Sequence, residues 1–381
     1  MTKNLLTWAE INLDNLSHNI KEIQQFTNNT EILAIVKAQA YGHGIVEVSQ
    51  AAFECGTSNF GVATLQEAII LRQSNTSANV IILAPTLPIN YEYLLEYNLT
   101  QTIINLDYAK ELSKVALKMG KIATIHIKID TGLGRLGFKP TKKSISEIIS
   151  ISEMKGLKLE AVFSHLAMSE EGDTSFTYEQ YERFLFVTEA LSAVGISFKR
   201  HISNSGAIIN NRDLNLDMVR PGAILYGVFP SINTPKHIDL KPVMSVKGKV
   251  VFINTIKVGE SIGYDRTYYA KNPTTVGIIM IGYADGYSSD YSNKSYVTIK
   301  GIQCNILGIV CMDQIIVDVT NVPNIQIGDI AHIFGDEGPT ITDLTTIGSV
   351  KAREIQCLSN IGKRIPRVYI KNGTIYKTVN L

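Results

Sequence analysis

From residue 31 to residue 219, short apolar and β-branched runs alternate with stretches whose apolar positions repeat at helical spacing. The runs are Ile32–Val36, Phe60–Ala63, Val80–Leu83, Thr102–Ile104, Ala123–Ile129, Leu159–Phe163, Arg200–Ile202 and Leu216–Val219. Each has the length of a buried strand, and segments such as Leu65–Arg72 and Tyr178–Phe184 between them read as helices. Eight such repeats predict an α/β fold, a TIM-like (β/α)8 barrel with its reactive groups at the C-terminal ends of the strands. A doubly wound open sheet has the same rhythm and stands as the competitor. Around Ser231–Pro235 and Pro242 the helical spacing stops. Strand alternation takes over in Lys249–Ile253, Val276–Ile281, Tyr296–Ile299 and Ile315–Val319. The expected organisation is a barrel over residues 1–240 and a predominantly β domain, antiparallel with tight turns, over residues 241–381. The first eight or so residues are candidates to pair with the second domain.

Charge and composition narrow the function classes. The 381 residues carry 36 Lys and Arg against 35 Asp and Glu, a formal charge of +1. That balance excludes the basic excess with which a general nucleic-acid binder displaces counterions. The densest apolar run, Ile278–Ile281, falls far short of the roughly 20 residues that span a bilayer. Glu10 and Asp14 interrupt any leader-like stretch at the N-terminus. Cys55, Cys304, Cys311 and Cys357 show no CxxC spacing, so a cytoplasmic protein with reduced thiols and no membrane partner is expected.

The residues that follow the predicted strands carry the chemistry. The first strand leads into Lys37-Ala-Gln-Ala-Tyr41-Gly-His-Gly44, and the fifth contains Lys128 and runs into Asp130-Thr-Gly-Leu-Gly-Arg135. The sixth delivers His165, the seventh Asn204 and Ser205, and the eighth Arg220-Pro-Gly222. Singly each reads as a solvated charge or a turn residue. Together, a lysine, hydroxyls, glycine turns and arginines on one rim suit an anionic, planar cofactor bearing an aldehyde. Gly132-Leu-Gly-Arg-Leu-Gly137 satisfies the dinucleotide pattern GxGxxG, but it follows the fifth strand and meets Pro140 where a helix should be under way. His18, His126, His201, His237 and His332 are scattered without ligand spacing, so no metal site is expected.

These motifs resemble the alanine racemase family, enzymes of fold type III that use pyridoxal 5′-phosphate (PLP). The resemblance lies in Ala34–Gly44, with Gln39 where Asn is commoner, and in Lys128–Gly137, Arg220–Gly227, Gly263-Tyr264, Gly282–Gly286 and Cys311–Gln314. It runs from about Trp8 to Tyr369. It implies that Lys37 holds PLP covalently and serves as one of two bases, with Tyr264 of a partner subunit as the other. A free phenol titrates near 10, so a tyrosine base needs hydrogen-bonded or cationic help near neutral pH. By the same resemblance Tyr41, Ser205 and the backbone of Gly222 and Ala223 hold the cofactor's phosphate, Asn204 is a further cofactor-binding residue, and His165 packs beside the ring. Arg220 faces the ring nitrogen, while Arg135 lies near the phenolic oxygen and the substrate carboxylate. Lys128 matches a lysine often carbamylated in the family, and the Met312 backbone amide matches one that meets the substrate carboxylate from the partner. A homodimer with shared sites follows.

The tail Ile361-Gly-Lys-Arg-Ile-Pro-Arg367 fits the family, but counting back without a gap places Ile355 where a pocket tyrosine is usual. Arg353 stands two residues before it, and Ser289 and Ile309 replace usual arginines. Alanine is the expected substrate. An arginine able to pair with a side-chain carboxylate makes aspartate or glutamate an alternative, and the missing phenol makes serine another. A barrel PLP decarboxylase would place a carboxylate at the ring nitrogen, which Arg220 opposes. A non-catalytic PLP carrier would have no use for a second domain bearing Tyr264 and Met312.

Overall fold

The computed structural model describes residues 2–74, 77–170, 173–347 and 354–380, so Arg353 lies outside the described residues. By contacts the chain forms two units. One comprises Ser17–Ala40 and Ile45–Leu240, the other Met1–Leu16, Tyr41–Gly44 and Lys241–Leu381.

After β1 (Thr7–Asn12) come the strands of the first unit: β2 (Glu31–Ile35), β3 (Asn59–Val62), β4 (Asn79–Ile82), β5 (Thr100–Ile103), β6 (Ala123–Lys128), β7 (Leu157–Phe163), β8 (Lys199–His201) and β9 (Met218–Val219). All eight predicted runs become strands, with ends shifted by two residues at most. They pair in parallel in the order β8-β7-β6-β5-β4-β3-β2-β9. The ring closes where the Asp217 N–H donates to Arg200 O (3.2 Å) and the Arg220 N–H to Ser203 O (3.0 Å). This is the barrel, and the open-sheet competitor falls. β3 and β5 are buried along their whole length, as parallel strands covered on both faces must be.

The surrounding helices start where polar caps permit. Asn105 accepts from the Tyr108 N–H ahead of Leu106–Lys118, and Thr141 from the Ser144 N–H ahead of Lys142–Ser152. Thr64 and Glu67 form a reciprocal capping box at the start of Leu65–Gln73.

The second unit is built around β10 (Met244–Ile256), bent by a bulge between Val250 and Phe252. It continues through β11 (Ser261–Ile262), β12 (Tyr268–Tyr269), β13 (Thr274–Ile279), β14 (Tyr296–Ile299), β15 (Ile302–Asn305), β16 (Ile315–Asp318), β17 (Ile330–Phe334), β18 (Arg367–Lys371) and β19 (Thr374–Val379). The main path runs β15-β14-β17-β10-β1-β18-β19, and β13 joins β10 to β16. The expectation of an antiparallel domain needs correction at one pairing, since β1 and β18 pair in parallel; the domain is predominantly β as expected, with helices Ile341–Ile347 and Glu354–Ser359 among its strands. Arg367 is buried here. It donates to the carbonyls of Gly42 (2.9 Å), Ile361 (2.7 Å), Gly362 and Ile365 (both 2.6 Å), and so fixes Tyr41–Gly44 within this unit. Among the described residues no helix is long and apolar enough to cross a membrane.

Candidate active site

Lys37 stands two residues past the end of β2, and the backbone beyond it is unusual. Ala38, Gln39, Ala40 and Tyr41 have φ of 52°, 55°, 52° and 54°, one left-handed helical turn without a glycine. Such a turn costs roughly 1–2 kcal/mol per residue, so neighbouring groups must hold it. Glu67 Oε1 accepts the Ala38 N–H (2.6 Å), while Oε2 accepts that of Ala63 (2.8 Å). Gln39 Oε1 accepts the Ile45 N–H at 3.4 Å. Burial and the Arg135 charge lower the Lys37 amine from its ordinary value, partly opposed by Glu67. An amine so placed is more readily available as a nucleophile or base.

Lys128 ends β6, donates to Ile129 O (2.8 Å) and lies 5.3 Å from the centroid of the Phe163 ring. Burial, with repulsion from Arg220, pushes it down to about 7. The loop after it is shaped by Asp130, whose Oδ1 accepts the N–H groups of Gly132 (3.3 Å) and Gly134 (3.0 Å) and whose Oδ2 accepts Lys139 Nζ (2.8 Å). Burial works to raise Asp130, but these bonds outweigh it and hold the carboxyl below its usual range. Gly137 closes the loop at φ +114°, where a Cβ would stand 2.5 Å from Lys128 O. The GxGxxG match is therefore a turn that presents exposed Arg135.

Arg220 is buried. It donates to Ser164 O (2.7 Å), Ile202 O (3.0 Å), His201 Nδ1 (2.9 Å) and His165 Nδ1 (3.3 Å). Burial and then Arg220 push His165 well below its ordinary value, leaving a neutral imidazole. Beside it, Asn204 Oδ1 accepts the Ala207 N–H (3.1 Å) and Ser169 Oγ (2.7 Å). Ser205 Oγ accepts the Gly222 N–H (2.9 Å), which leaves the Ser205 O–H free to donate elsewhere, and Ala223 begins the next short helix. Tyr41 is pushed up to about 12 by burial and so keeps its proton.

The second unit brings Tyr264 and Met312 together. With Gly263, Cys311, Asp313 and Gln314 they line a cavity of about 510 Å³. The Cys311 and Met312 carbonyls accept the N–H groups of Tyr283 and Ala284, both at 3.0 Å, while the Met312 N–H takes no part in these bonds. Arg364 clamps the loop by donating to Asp285 Oδ1 (2.5 Å) and Asp313 Oδ1 (2.6 Å). Ile355 sits half-buried on the helix Glu354–Ser359.

Sequence reasoning missed Glu67, whose signal was its place three residues after Thr64. It also missed the association of His126 and His201, which read as scattered. Their rings lie 5.2 Å apart, and His201 stacks on Phe163 at 4.8 Å.

A family model described as "Alanine racemase, N-terminal domain" matches residues 11–230, and one described as "Alanine racemase, C-terminal domain" matches residues 243–369. An alanine racemase of Clostridium tetani is 40% identical over 374 residues, covering 97% of this chain and 96% of the relative. The solved alanine racemase of Clostridium difficile superposes with a TM-score of 0.95 at 34% identity, covering 99% of each chain. That of Bartonella henselae, described with covalently bound pyridoxal phosphate, superposes at 0.86 with 29% identity, covering 96% of this chain and 99% of that one. The barrel, the rim chemistry and these likenesses agree: the chain belongs to the alanine racemase family of isomerases.

Proposed function

We infer that this protein is a PLP-dependent alanine racemase that interconverts L-Ala and D-Ala as a homodimer with shared active sites. In this reading residues 1–240 hold the cofactor, and residues 241–381 supply the partner's contribution. The observation that carries it is Lys37, an amine depressed by burial and by Arg135, standing just before the left-handed turn Ala38–Tyr41 at the rim of the barrel.

The donor set of the rim fits PLP. It offers one nucleophilic amine, the hydroxyls of Tyr41 and Ser205, the Asn204 amide, the backbone at Gly222 and Ala223, and two guanidinium groups. Bound PLP would acidify the substrate's α-proton. Lys37 would tether the cofactor and, once released, move a proton at one face of the substrate's α-carbon. The Tyr264 hydroxyl of the partner would move one at the opposite face, because inversion needs an acid–base group on each side. Arg220 would face the ring nitrogen and keep it unprotonated, since a guanidinium has only donors and keeps its charge. That restrains electron withdrawal and with it transamination. Neutral His165 would pack beside the ring without adding charge. Arg135 and the partner's Met312 N–H would hold the substrate carboxylate.

Lys128, down at about 7, has the neutral amine that reacts with carbon dioxide. Its nitrogen would bond to the carbon and release one proton, and the resulting carbamate would lie beside Arg135. Proton NMR of the PLP-loaded protein in D₂O, with L-Ala, L-Ser, L-Asp and L-Glu in separate samples, tests the substrate. L-Ala should lose its α-proton signal fastest and yield D-Ala. Faster exchange of another amino acid would overturn the assignment and point to Ile355 and Arg353 as specificity determinants.

A further inference from the structure

The reading above gives Arg220 a task but leaves its charge unbalanced. The guanidinium is 4% exposed, and its partners are two carbonyls and two imidazoles, none of them an anion. A buried charge without compensation is costly, so the counter-charge is to be sought beyond these direct partners.

The geometry fixes where the protons are. Arginine has only donors, so His201 Nδ1, 2.9 Å from the guanidinium, presents a lone pair. A neutral imidazole carries one N–H, which places His201's on Nε2, facing His126 Nδ1 at 3.3 Å. That nitrogen must then accept, so the His126 proton sits on Nε2, 2.9 Å from Glu160 Oε2. Each assignment forces the next. An imidazolium at His201 would set an N–H against the guanidinium's own, and burial together with the Arg220 charge already opposes it. An imidazolium at His126 would leave His201 without any ring proton. Both rings are therefore neutral, although His126 and Glu160 stand at ion-pair distance. His126 and His201 are fully buried, and Glu160 reaches the partly exposed end of the chain of bonds. The hydrogen bond from His126 holds the Glu160 carboxyl below its usual range against the effect of burial, with Lys199 and Lys158 assisting.

We propose that Glu160 is a positioning residue: it is the anionic end of a one-way donor relay, Arg220 to His201 to His126 to Glu160, laid across β6, β7 and β8 and the end of β9. The relay supplies the counter-charge for Arg220 and holds its fork aimed at the cofactor's ring nitrogen. This last link rests on the PLP reading above, whereas the relay itself does not.

The test uses PLP-loaded protein carrying ¹⁵N-histidine, whose long-range ¹⁵N–¹H correlations report the tautomer of each ring. His126 and His201 should both show the neutral Nε2–H tautomer across about pH 5 to 8, the range in which an ordinary histidine changes charge. Glu160→Gln keeps an acceptor and removes the charge. Its tautomers should persist, while the pH dependence of the cofactor's visible absorbance shifts and kcat falls on the order of tenfold with KM little changed, as for other outer hydrogen-bond partners. Glu160→Met removes the acceptor as well, and the unique tautomer pattern should be lost. An Nδ1–H or imidazolium at His126 in the unaltered protein overturns the relay. So does wild-type cofactor absorbance in Glu160→Gln, even if its melting temperature falls, because a purely structural residue would behave that way. If the unaltered protein racemises no amino acid, the functional reading fails, while the tautomers still decide the relay.

Discussion

At the barrel rim Lys37, Lys128 and His165 are crowded enough that burial and neighbouring cations displace each from its ordinary protonation, whereas in the second unit Tyr264 and Met312 stand 66% and 51% exposed. The rim is finished within one chain, because the strand ends of a closed barrel converge and supply their own environment. The cavity at Tyr264 is not. Arg364 fixes Asp313 of its lining by bonds to Asp285 and Asp313, while Tyr264 and Met312 remain open to solvent. An exposed apolar surface around groups that need a dry site is what a symmetric partner would cover.

That contrast is most directly broken by hybrid dimers. Lys37→Ala and Tyr264→Phe should each lower racemase activity by roughly two to four orders of magnitude, the usual loss when a general acid–base group is removed. If each site draws Lys37 from one chain and Tyr264 from the other, dissociating and remixing the two inactive variants in equal amounts makes half the dimers hybrids, each with one intact site. About a quarter of the wild-type sites should return. No recovery, with subunit exchange confirmed by mass, would place both bases in the same chain.

A smaller effect sharpens the comparison within the second unit. Arg367 donates to four carbonyls, one of them Gly42 O. Arg367→Met keeps bulk and removes every donor, stranding buried acceptors at about 1–3 kcal/mol each where they find no other partner. Urea denaturation followed by fluorescence should show a clearly lower midpoint. A midpoint within error of wild type would mean that Tyr41–Gly44 is held by other means.

Much of this was legible before the structure. Buried parallel strands write themselves as continuous apolar runs, and barrel topology then turns position after a strand into position on the rim, which is why Lys37, Lys128, His165, Ser205 and Arg220 could be named. Three features escaped for different physical reasons. The turn Ala38–Tyr41 contains no glycine, so its left-handed backbone has no local signal; Glu67 holds it from outside, and its own Gln39 ties it to the Ile45 N–H. His126 and His201 lie on different strands, and only barrel curvature brings them into contact. The parallel pairing of β1 with β18 joins the two ends of the sequence, and alternation of polarity encodes neither partner nor direction.

The smallest predicted effect concerns pH and separates the free Lys128 amine from its carbamate. With its folded value down at about 7 against an ordinary 10.5, free Lys128 binds fewer protons in the folded chain than in the unfolded one across that interval. Stability therefore rises with pH from about 7 toward 10.5, by at most about 1.4 kcal/mol per pH unit, and is lost again as pH falls through 7. Lys128→Met removes this term while leaving the rest of the titration in place. Denaturation midpoints of the two proteins, compared between about pH 7 and 8.5 in buffer freed of carbon dioxide, should diverge by up to about 2 kcal/mol in favour of the lysine as pH rises. Added bicarbonate should raise the stability of the lysine protein over the methionine variant, without flattening that divergence, if Lys128 is carbamylated, because the carbamate forms in the folded chain and, like the neutral amine, binds no proton while the unfolded amine keeps its own. Midpoints that bicarbonate shifts no more for the lysine protein than for the methionine variant would show the amine to be free and would remove the carbamate from beside Arg135. Equal slopes for lysine and methionine without bicarbonate would show that burial does not depress Lys128 at all, and the contrast between a crowded rim and an open second unit would lose its strongest electrostatic support.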